Sequence, residues 1–210
     1  EGLAMDPALI PETLSAVDAH LAAVHAFACD LHETGLLAKP LVSAGGSAFF
    51  DRVLARFPRP RWRVVLRSGC YVSQDGGFYD QLSPLAGRGE DPEPLRDALE
   101  LWAVVLSRPQ AGLAVVGAGK RDAPFDVRPP QPVAWRSADG TRAGELADSA
   151  VARLNDQHMT ISVPGDDRSP TVGDLIRFTV SHPCGAFDRW RVIPLVDDDR
   201  RVVGAVHTLL

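Results

Sequence analysis

From about Asp91 to the carboxyl terminus, the sequence consists of short apolar runs separated by turn residues, and this regularity constrains the fold more than any other feature. The runs have the length of strands, and turn residues recur at intervals typical of all-β domains. The segment from Val196 to Arg200 has the composition of a hairpin connection. The predicted strands are Leu99–Leu106, Gly112–Gly117, Pro132–Trp135, Ala150–Leu154, Met159–Val163, Leu175–Val180, Arg191–Val196 and Arg201–Leu209.

The amino-terminal part of the sequence alternates helix and strand patterns instead. Its predicted elements are a helix over Pro7–Glu33, a strand over Pro40–Ser43, a helix over Ala48–Arg56 and a strand over Trp62–Arg67. Strand-helix-strand rhythms with short connections build parallel sheets and barrels. Pro92 and Pro94 mark the boundary between this alternating pattern and the strand pattern that follows it. The sequence therefore predicts an α/β plus all-β chain: a partial (β/α) barrel segment in residues 1–92, followed by a β domain in residues 93–210 from which some strands return to the barrel side.

Composition narrows the class of protein. With 45% hydrophobic and 23% charged residues, the chain has the make-up of a soluble globular protein. A net charge of −5 and the lack of a basic cluster argue against nucleic acid or an anionic membrane as a partner. No apolar run approaches the ~20 residues that span a bilayer. The cysteines, Cys29, Cys70 and Cys184, are odd in number and widely spaced, which favours a reducing cytoplasm over a disulfide framework.

Two predicted strands end in loops that contain glycine and serine. The first loop, Ala44–Ser47, lies between a strand and a helix, where backbone N–H groups and a hydroxyl can approach an anion. The local sequence alone favours an ordinary glycine turn with Ser47 as the helix N-cap. The second loop is Ser68–Tyr71, preceded by Arg67. Because ligands collect at the carboxyl ends of parallel strands, the two loops together indicate a binding site more strongly than either alone.

The strand predicted over Leu175–Val180 is followed closely by His182 and Cys184. If the strand continues, these two side chains extend its apolar face. Imidazole and thiolate suit Zn²⁺, and two protein ligands leave coordination positions open for water or substrate. The spacing alone favours the commoner arrangement, a buried free cysteine beside a hydrogen-bonded core histidine.

Several segments, taken in order, resemble D-serine dehydratase-like proteins, which are amino acid deaminases of the alanine racemase fold type. The similar segments are Ser43–Ser47, Leu66–Tyr71, Gly119–Asp122 with Phe125-Asp126, Leu154–His158, and the stretch from His182 to Pro194 with the acidic hairpin after it. The resemblance covers essentially the whole chain. It implies a pyridoxal-phosphate enzyme in which a (β/α)₈ barrel carries the cofactor and a β domain follows.

The resemblance also implies site residues. It places the glycines and the hydroxyl of the first loop around the cofactor phosphate, together with the backbone of the second loop. The implied cofactor-binding residues are Gly45, Gly46, Ser47, Arg67, Gly69, Cys70 and Tyr71. His182 and Cys184 match the zinc-binding pair of the dehydratases. A homodimer and a small D-amino-acid substrate are implied as well.

The implied reaction is the zinc-assisted elimination of the β-hydroxyl of a D-serine-like amino acid, which gives a keto acid and ammonia. Related D-threonine aldolases carry aspartate in place of Cys184, so this residue favours a dehydratase. Two alternatives stay open. One is an aldolase or racemase on the same fold, and the other is a non-catalytic remnant with a role in dimerisation or folding.

Neither lysine of the chain stands where the resemblance places the Schiff-base lysine. Lys39 precedes a proline at the start of a strand, and Lys120 lies in the β domain. The chain begins at Glu1 without an initiator methionine, and it is shorter than the ~250 residues of a complete barrel. We therefore expect a fragment that lacks the amino-terminal half of the barrel and is inactive alone.

Overall fold

The structure, a computed structural model, describes residues 10–77, 79–86, 88, 94–166 and 169–209. The chain forms two compact units. The first unit contains the described residues through Val72 and those of Gly77–Arg96. The second contains Ser73–Gly76 and continues from Asp97. The domain boundary predicted between residues 92 and 93 lies outside the described residues. Nothing in the sequence predicts that Ser73–Gly76 belongs to the second unit.

The first unit has the predicted alternation of helix and strand. Its elements are helix α1 (Ile10–Glu33), strand β1 (Leu41–Ser43), helix α2 (Phe50–Arg56), strand β2 (Arg63–Val65), a 3₁₀ turn (Cys70–Val72) and helix α3 (Tyr79–Leu82). Strands β1 and β2 pair in parallel, so their carboxyl ends lie side by side. The start predicted for the first helix, Pro7, lies outside the described residues. Helix α2 begins two residues later than predicted: Phe49 is its N-cap and makes no side-chain capping bond, so the interpretation of Ser47 as the cap is wrong.

Helix α1 packs into the core of the first unit. Val17, Leu21 and Ala28 are buried on it, and Asp18 accepts a hydrogen bond of 2.9 Å from Arg52 Nε on α2. By length and composition alone, Ile10–Glu33 is apolar enough to cross a membrane, which the apolar runs of the sequence did not predict. A single helix of this kind is weak evidence of a membrane span, and 17% of its apolar window is buried. The remaining buried core residues of the unit are Ala48, Phe49, Val53, Phe57, Trp62 and Leu82.

The second unit consists of antiparallel strands and one short helix. Its elements are β3 (Glu100–Gln110), β4 (Leu113–Val116), β5 (Gln131–Arg136), β6 (Ala143–Glu145), β7 (Val151–Leu154), β8 (Met159–Ser162), β9 (Leu175–Thr179), α4 (Cys184–Phe187), β10 (Val192–Val196) and β11 (Val202–His207). Seven strands form one sheet in the order β6-β5-β9-β3-β4-β8-β7. Strands β10 and β11 form a separate hairpin. Every predicted strand is present. Strand β6 was missed because Ala-Gly-Glu carries no apolar pattern.

One face of the seven-stranded sheet supplies the core of the second unit. Buried and partly buried residues alternate along β4, β8 and β9, as expected when one face of a sheet is covered. Ile176 and Phe178 on β9 are fully buried, and this strand pairs with both β3 and β5. The residues that follow β9 therefore begin at the end of a buried strand that is paired on both sides. The functional candidates His182 and Cys184 lie among them.

Candidate functional site

The chain turns sharply after β9, so His182 and Cys184 do not continue the strand. The strand ends at Thr179, and Cys184 begins the short helix α4. His182 lies between them with φ +63°, in the left-handed region that few residues other than glycine adopt. The condition under which both side chains would extend the apolar face, a strand that continues past Val180, is therefore not met. They lie on a turn instead, where Cys184 is exposed and His182 is partly exposed.

Several hydrogen bonds fix the backbone of this turn. The hydroxyl of Ser181 donates to the Arg128 carbonyl at 2.7 Å. The N–H of Gly185 donates to the His182 carbonyl at 3.1 Å. Before the turn, the N–H of Gly76 donates to the Val180 carbonyl at 3.0 Å. A residue in an unfavourable backbone conformation persists only when its surroundings determine it, and these bonds provide that constraint.

His182 pairs with Asp126, a residue far from it in sequence. Nδ1 of His182 lies 2.5 Å from Oδ2 of Asp126, and the two side chains are 38% and 57% exposed. Burial acts to raise the pKa of the Asp126 carboxyl, but the hydrogen bond from His182 and the nearby positive charges outweigh it. The pKa of Asp126 is therefore lowered from its ordinary value. The resemblance named Asp126 only as part of a segment, and nothing in the local sequence assigns it a partner 56 residues away.

The loop that carries Asp126 is anchored to a neighbouring turn. The N–H groups of Lys120 and Arg121 donate to the carbonyls of Asn155 and Asp156 at 2.9 and 3.0 Å. Gly119 permits this approach, because a Cβ atom there would lie 2.4 Å from the Asn155 carbonyl oxygen. The glycine is thus required by close packing of two backbones.

The same loop also contacts the residues after His182. Nε of Arg189 donates to the Lys120 carbonyl at 3.1 Å, and Nε1 of Trp190 donates to the Asp122 carbonyl at 2.8 Å. The ring of Phe125 lies near two cations, with Lys120 Nζ 5.6 Å and Arg189 Cζ 5.9 Å from its centroid. Three segments that the resemblance singled out separately are therefore packed against one another.

His158 belongs to the anchoring turn. Its Nε2 lies 3.0 Å from Nδ2 of Asn155, and its carbonyl accepts the N–H of Asn155 at 3.0 Å. The side chain is exposed. These contacts close the turn between β7 and β8, in agreement with the turn chemistry of Asn and Asp.

In the first unit, the two glycine-containing loops lie next to each other, as predicted from the parallel strands. The N–H of Arg67 donates to the Gly45 carbonyl at 2.9 Å, and the N–H of Cys70 donates to the Ser47 hydroxyl at 3.2 Å. Gly45 has φ +92°, and a Cβ atom there would lie 2.9 Å from Leu66 Cδ2. The first loop therefore requires glycine for its own backbone.

The exposure of the loop residues decides what they can offer a ligand. Gly69 has open space where a Cβ atom would lie, whereas Cys70 is buried. Arg67 and Tyr71 are exposed. The Ser47 hydroxyl accepts one hydrogen bond and keeps its own proton to donate. These features fit a phosphate cradle, and the assignment of Gly45, Gly46, Ser47, Arg67, Gly69, Cys70 and Tyr71 to the cofactor stays a prediction.

The donors available to a metal are His182 and Cys184. Within the part of the chain that the structure describes, no group of three or more His, Cys, Asp or Glu side chains gathers as a metal site. The Nδ1 atom of His182 is occupied by Asp126, which leaves Nε2 as the ring nitrogen for a metal. An imidazole and an exposed thiol fit the open kind of zinc site that keeps positions for water or substrate. The metal assignment also stays a prediction.

The two lysines lie in different units of the structure. Lys39 is exposed, and its carbonyl accepts the N–H of Leu41 at 2.7 Å. Lys120 lies over the Phe125 ring in the loop of the second unit. The expectation that the Schiff-base lysine is outside the chain stays a prediction.

Comparison with known families finds a match within the second unit. Residues 98–196 match the family model of the putative serine dehydratase domain. Over these residues the chain is similar to proteins of that family. The matched residues include the whole seven-stranded sheet, the Asp126 loop and the His182 turn, so the resemblance found in the sequence is confirmed for this domain. No curated protein matches the chain.

The similarity of the chain to solved structures extends beyond residues 98–196. A D-threonine aldolase from Filomicrobium marinum is 24% identical over 80% of this chain and 40% of its own, with a TM-score of 0.62. The metal-free form of a mutant D-threo-3-hydroxyaspartate dehydratase is 20% identical over 95% and 52%, with a TM-score of 0.66. An alanine racemase-like protein from Idiomarina loihiensis is 16% identical over 81% and 44%, with a TM-score of 0.55.

These structures confirm the predicted fold class, an α/β segment followed by a β domain of the alanine racemase-like type. At these identities the likeness shows the fold alone. The chain spans between 40% and 52% of the length of the three structures.

Proposed function

We propose that this chain is the carboxyl-terminal portion of a lyase that depends on pyridoxal phosphate and zinc. The lyase converts a D-serine-like β-hydroxy amino acid to a keto acid and ammonia. The observation that carries this proposal is the turn that bears Cys184 and His182, with His182 paired to Asp126, within the residues that match the putative serine dehydratase domain. One of the similar structures is a dehydratase in its metal-free form, which supports a metal in proteins of this fold. The activity belongs to the whole protein, in which we propose that a lysine outside these residues carries the cofactor.

Each unit holds candidate residues for one of the two groups. Pyridoxal phosphate supplies an electron sink when bound, and a divalent cation supplies a Lewis acid that polarises the β-hydroxyl oxygen. Ser47 would hold the phosphate by donating its hydroxyl proton, and Gly69 would leave room for the phosphate near the backbone. Cys184 would hold the metal as a thiolate, and its exposure would keep the metal accessible to a substrate.

A second candidate is a D-threonine aldolase-like enzyme. The observation that favours it is the match to the D-threonine aldolase structure, with a TM-score of 0.62. Cys184, where the related aldolases carry aspartate, favours the dehydratase. Product analysis of the whole protein with D-serine and D-threonine separates the two. A keto acid with ammonia supports the dehydratase, and glycine with an aldehyde supports the aldolase.

Metal analysis of the purified chain tests the metal half of the proposal. We expect about one zinc ion per chain, because a structural or catalytic zinc site binds one ion through its set of ligands. The zinc should be lost in His182→Ala and in Cys184→Ser. His158→Ala and Cys29→Ser are matched controls, since they remove the same donor types elsewhere, and they should retain the metal. Equal zinc content in all variants would mean that His182 and Cys184 do not bind the metal and have a structural role.

Borohydride reduction tests the cofactor half. When pyridoxal phosphate is added to this chain and reduced, we expect no specific lysine-linked product. The reason is that Lys39 and Lys120 stand outside the context that the resemblance requires. Peptide mass mapping locates any adduct. A stoichiometric adduct on either lysine would contradict the proposal that the cofactor lysine lies elsewhere.

We also propose that the whole protein is a cytoplasmic homodimer, as the resemblance and the cysteine usage suggest. Sedimentation of the whole protein checks the assembly, and a monomer at micromolar concentration would contradict it.

A further inference from the structure

The geometry points to Asp126 as the positioning residue of His182. Its carboxylate accepts the Nδ1–H proton and holds the imidazole in the tautomer that keeps the lone pair on Nε2. This inference rests on the proposed function only in its last step, the binding of a metal at Nε2. The tautomer itself can be determined without a metal.

The position of the proton follows from the two partners. Nδ1 of His182 and Oδ2 of Asp126 are 2.5 Å apart, which is a short hydrogen bond and requires one proton between the atoms. A carboxylate offers only acceptor oxygens, whereas a ring nitrogen can donate, so Nδ1 is the donor of this bond. When Nε2 binds a metal through its lone pair, the single N–H of the ring is the one at Nδ1.

The surroundings hold each partner in place. The backbone of His182 is fixed in its left-handed conformation by the bonds of Ser181 and Gly185. Asp126 follows Phe125, whose ring lies close to Lys120 and Arg189. Two segments that are separately anchored thus present the imidazole and the carboxylate to each other.

The pair contributes orientation more than stability. Its side chains are 38% and 57% exposed, and exposed ion pairs contribute only about 0–1 kcal/mol. Loss of the carboxylate should therefore leave the fold intact while freeing the ring to exchange tautomers. A histidine that binds a metal through one nitrogen commonly donates the other N–H to a carboxylate, and removal of such a partner weakens metal binding about 10- to 100-fold.

Nitrogen-15 NMR of the metal-free protein at neutral pH tests the tautomer directly. In the unmodified chain we expect His182 with a protonated Nδ1 and an unprotonated Nε2. Asp126→Ala should move the proton to Nε2, the form that free imidazole side chains favour. Asp126→Asn keeps an acceptor oxygen without the charge and should give an intermediate population. Asp198→Asn, an exposed aspartate in the β10–β11 turn, is the charge-matched control and should leave the spectrum unchanged.

Competition with a chromogenic zinc chelator measures the last step. Asp126→Ala should bind zinc about 10- to 100-fold more weakly than the unmodified chain, with Asp126→Asn between them and Asp198→Asn unchanged. Thermal unfolding of each variant confirms that the fold is retained. A merely structural role for Asp126 would lower the unfolding temperature without changing the tautomer of the protein that remains folded.

The outcomes separate this inference from the proposed function. If the unmodified chain binds no zinc but shows the Nδ1–H tautomer that Asp126→Ala loses, the metal proposal fails and the positioning role stands. If His182 shows the Nε2–H tautomer in the unmodified chain, or if Asp126→Ala retains the Nδ1–H tautomer, the positioning role is overturned whatever the zinc result.

Discussion

The two units place their candidate residues in very different settings. In the first unit, the glycine-containing loops follow strands of three residues, and the donor and acceptor that join them, Cys70 and Ser47, are 23 residues apart. In the second, the His182 turn follows β9, an interior strand of a seven-stranded sheet, and His182 pairs with a residue 56 positions away. Among the described residues, the second core contains sixteen buried residues and the first contains nine, with ten more only partly covered. We infer that the second unit holds its site more rigidly by itself.

Truncation of one phenylalanine in each core should give the largest effects. Phe178 on β9 and Phe57 after α2 are 0% and 1% exposed. Each Phe→Ala change should lower the free energy of unfolding by about 3–5 kcal/mol, because it removes buried surface and leaves a cavity. Hydrogen exchange should show faster opening of β1 and β2 in Phe57→Ala only, and of β3 and β9 in Phe178→Ala only. Equal acceleration of both units in each variant would break the comparison, since the units would then unfold as one.

A pair of glycine substitutions contrasts the two loops. Gly119→Ala should destabilise the second unit by about 1–3 kcal/mol, because the new methyl group meets the backbone of Asn155. Gly69→Ala enters open space and should change the free energy of unfolding by less than about 0.5 kcal/mol. In the whole protein, Gly69→Ala should nevertheless weaken pyridoxal phosphate binding if the second loop contacts the cofactor. Unchanged cofactor affinity would remove Gly69 from the proposed site.

Glu100 gives a pH-dependent test within the second unit. Its carboxylate accepts hydrogen bonds from Arg177 at 2.9 Å, from Trp102 Nε1 at 2.8 Å and from Arg200 at 2.5 Å. Burial acts to raise the pKa of Glu100, but these bonds outweigh it, and the pKa is lowered. A group with a depressed folded-state pKa stabilises the fold above its unfolded pKa of about 4.3, and this stabilisation is lost as the pH falls through the lower folded value.

Glu100→Gln should therefore cost about 1 kcal/mol at neutral pH, the upper range for a partly exposed ion pair. Urea unfolding of both proteins at several pH values measures the difference, which should shrink as the pH falls below about 4. A difference that stays constant down to the acid limit of the fold would mean that the charge on Glu100 contributes nothing.

The smallest effect is expected at the β5–β6 turn. Asp139 accepts hydrogen bonds from the Ser137 hydroxyl at 2.5 Å and from the backbone and hydroxyl of Thr141 at 3.0 and 2.8 Å. The Ser137 bond contributes most to lowering the pKa of Asp139 to about 2. Its stabilisation is thus present above the ordinary value of about 3.9 and is lost as the pH falls through about 2.

An NMR titration should show the Asp139 carboxyl with a midpoint near pH 2. Ser137→Ala should move this midpoint upward, because it removes the strongest of the bonds. A midpoint that is unchanged in Ser137→Ala would assign the effect to Thr141 instead.

Much of the fold could be predicted from local pattern. The apolar alternation in β8 and β9 appears directly as buried and partly buried positions in the sheet, because each strand's own sequence decides which face is covered. Strand β6 could not be found this way, since its place beside β5 comes from pairing and not from its own side chains. The N-cap at Ser47 was wrong because the hydroxyl bonds across to Cys70, a contact with a different strand end.

By itself, the sequence determined the order of helices and strands and the change from an alternating pattern to a strand-only pattern. It also determined the residue types that can bind a metal or a phosphate. Only the tertiary structure decided that β9 ends before His182, that this residue takes a left-handed turn, and that Asp126 meets its Nδ1 atom. The physical reason is distance along the chain. Local periodicity encodes burial within an element, whereas the partner of a polar side chain depends on which remote segment the packed core brings beside it.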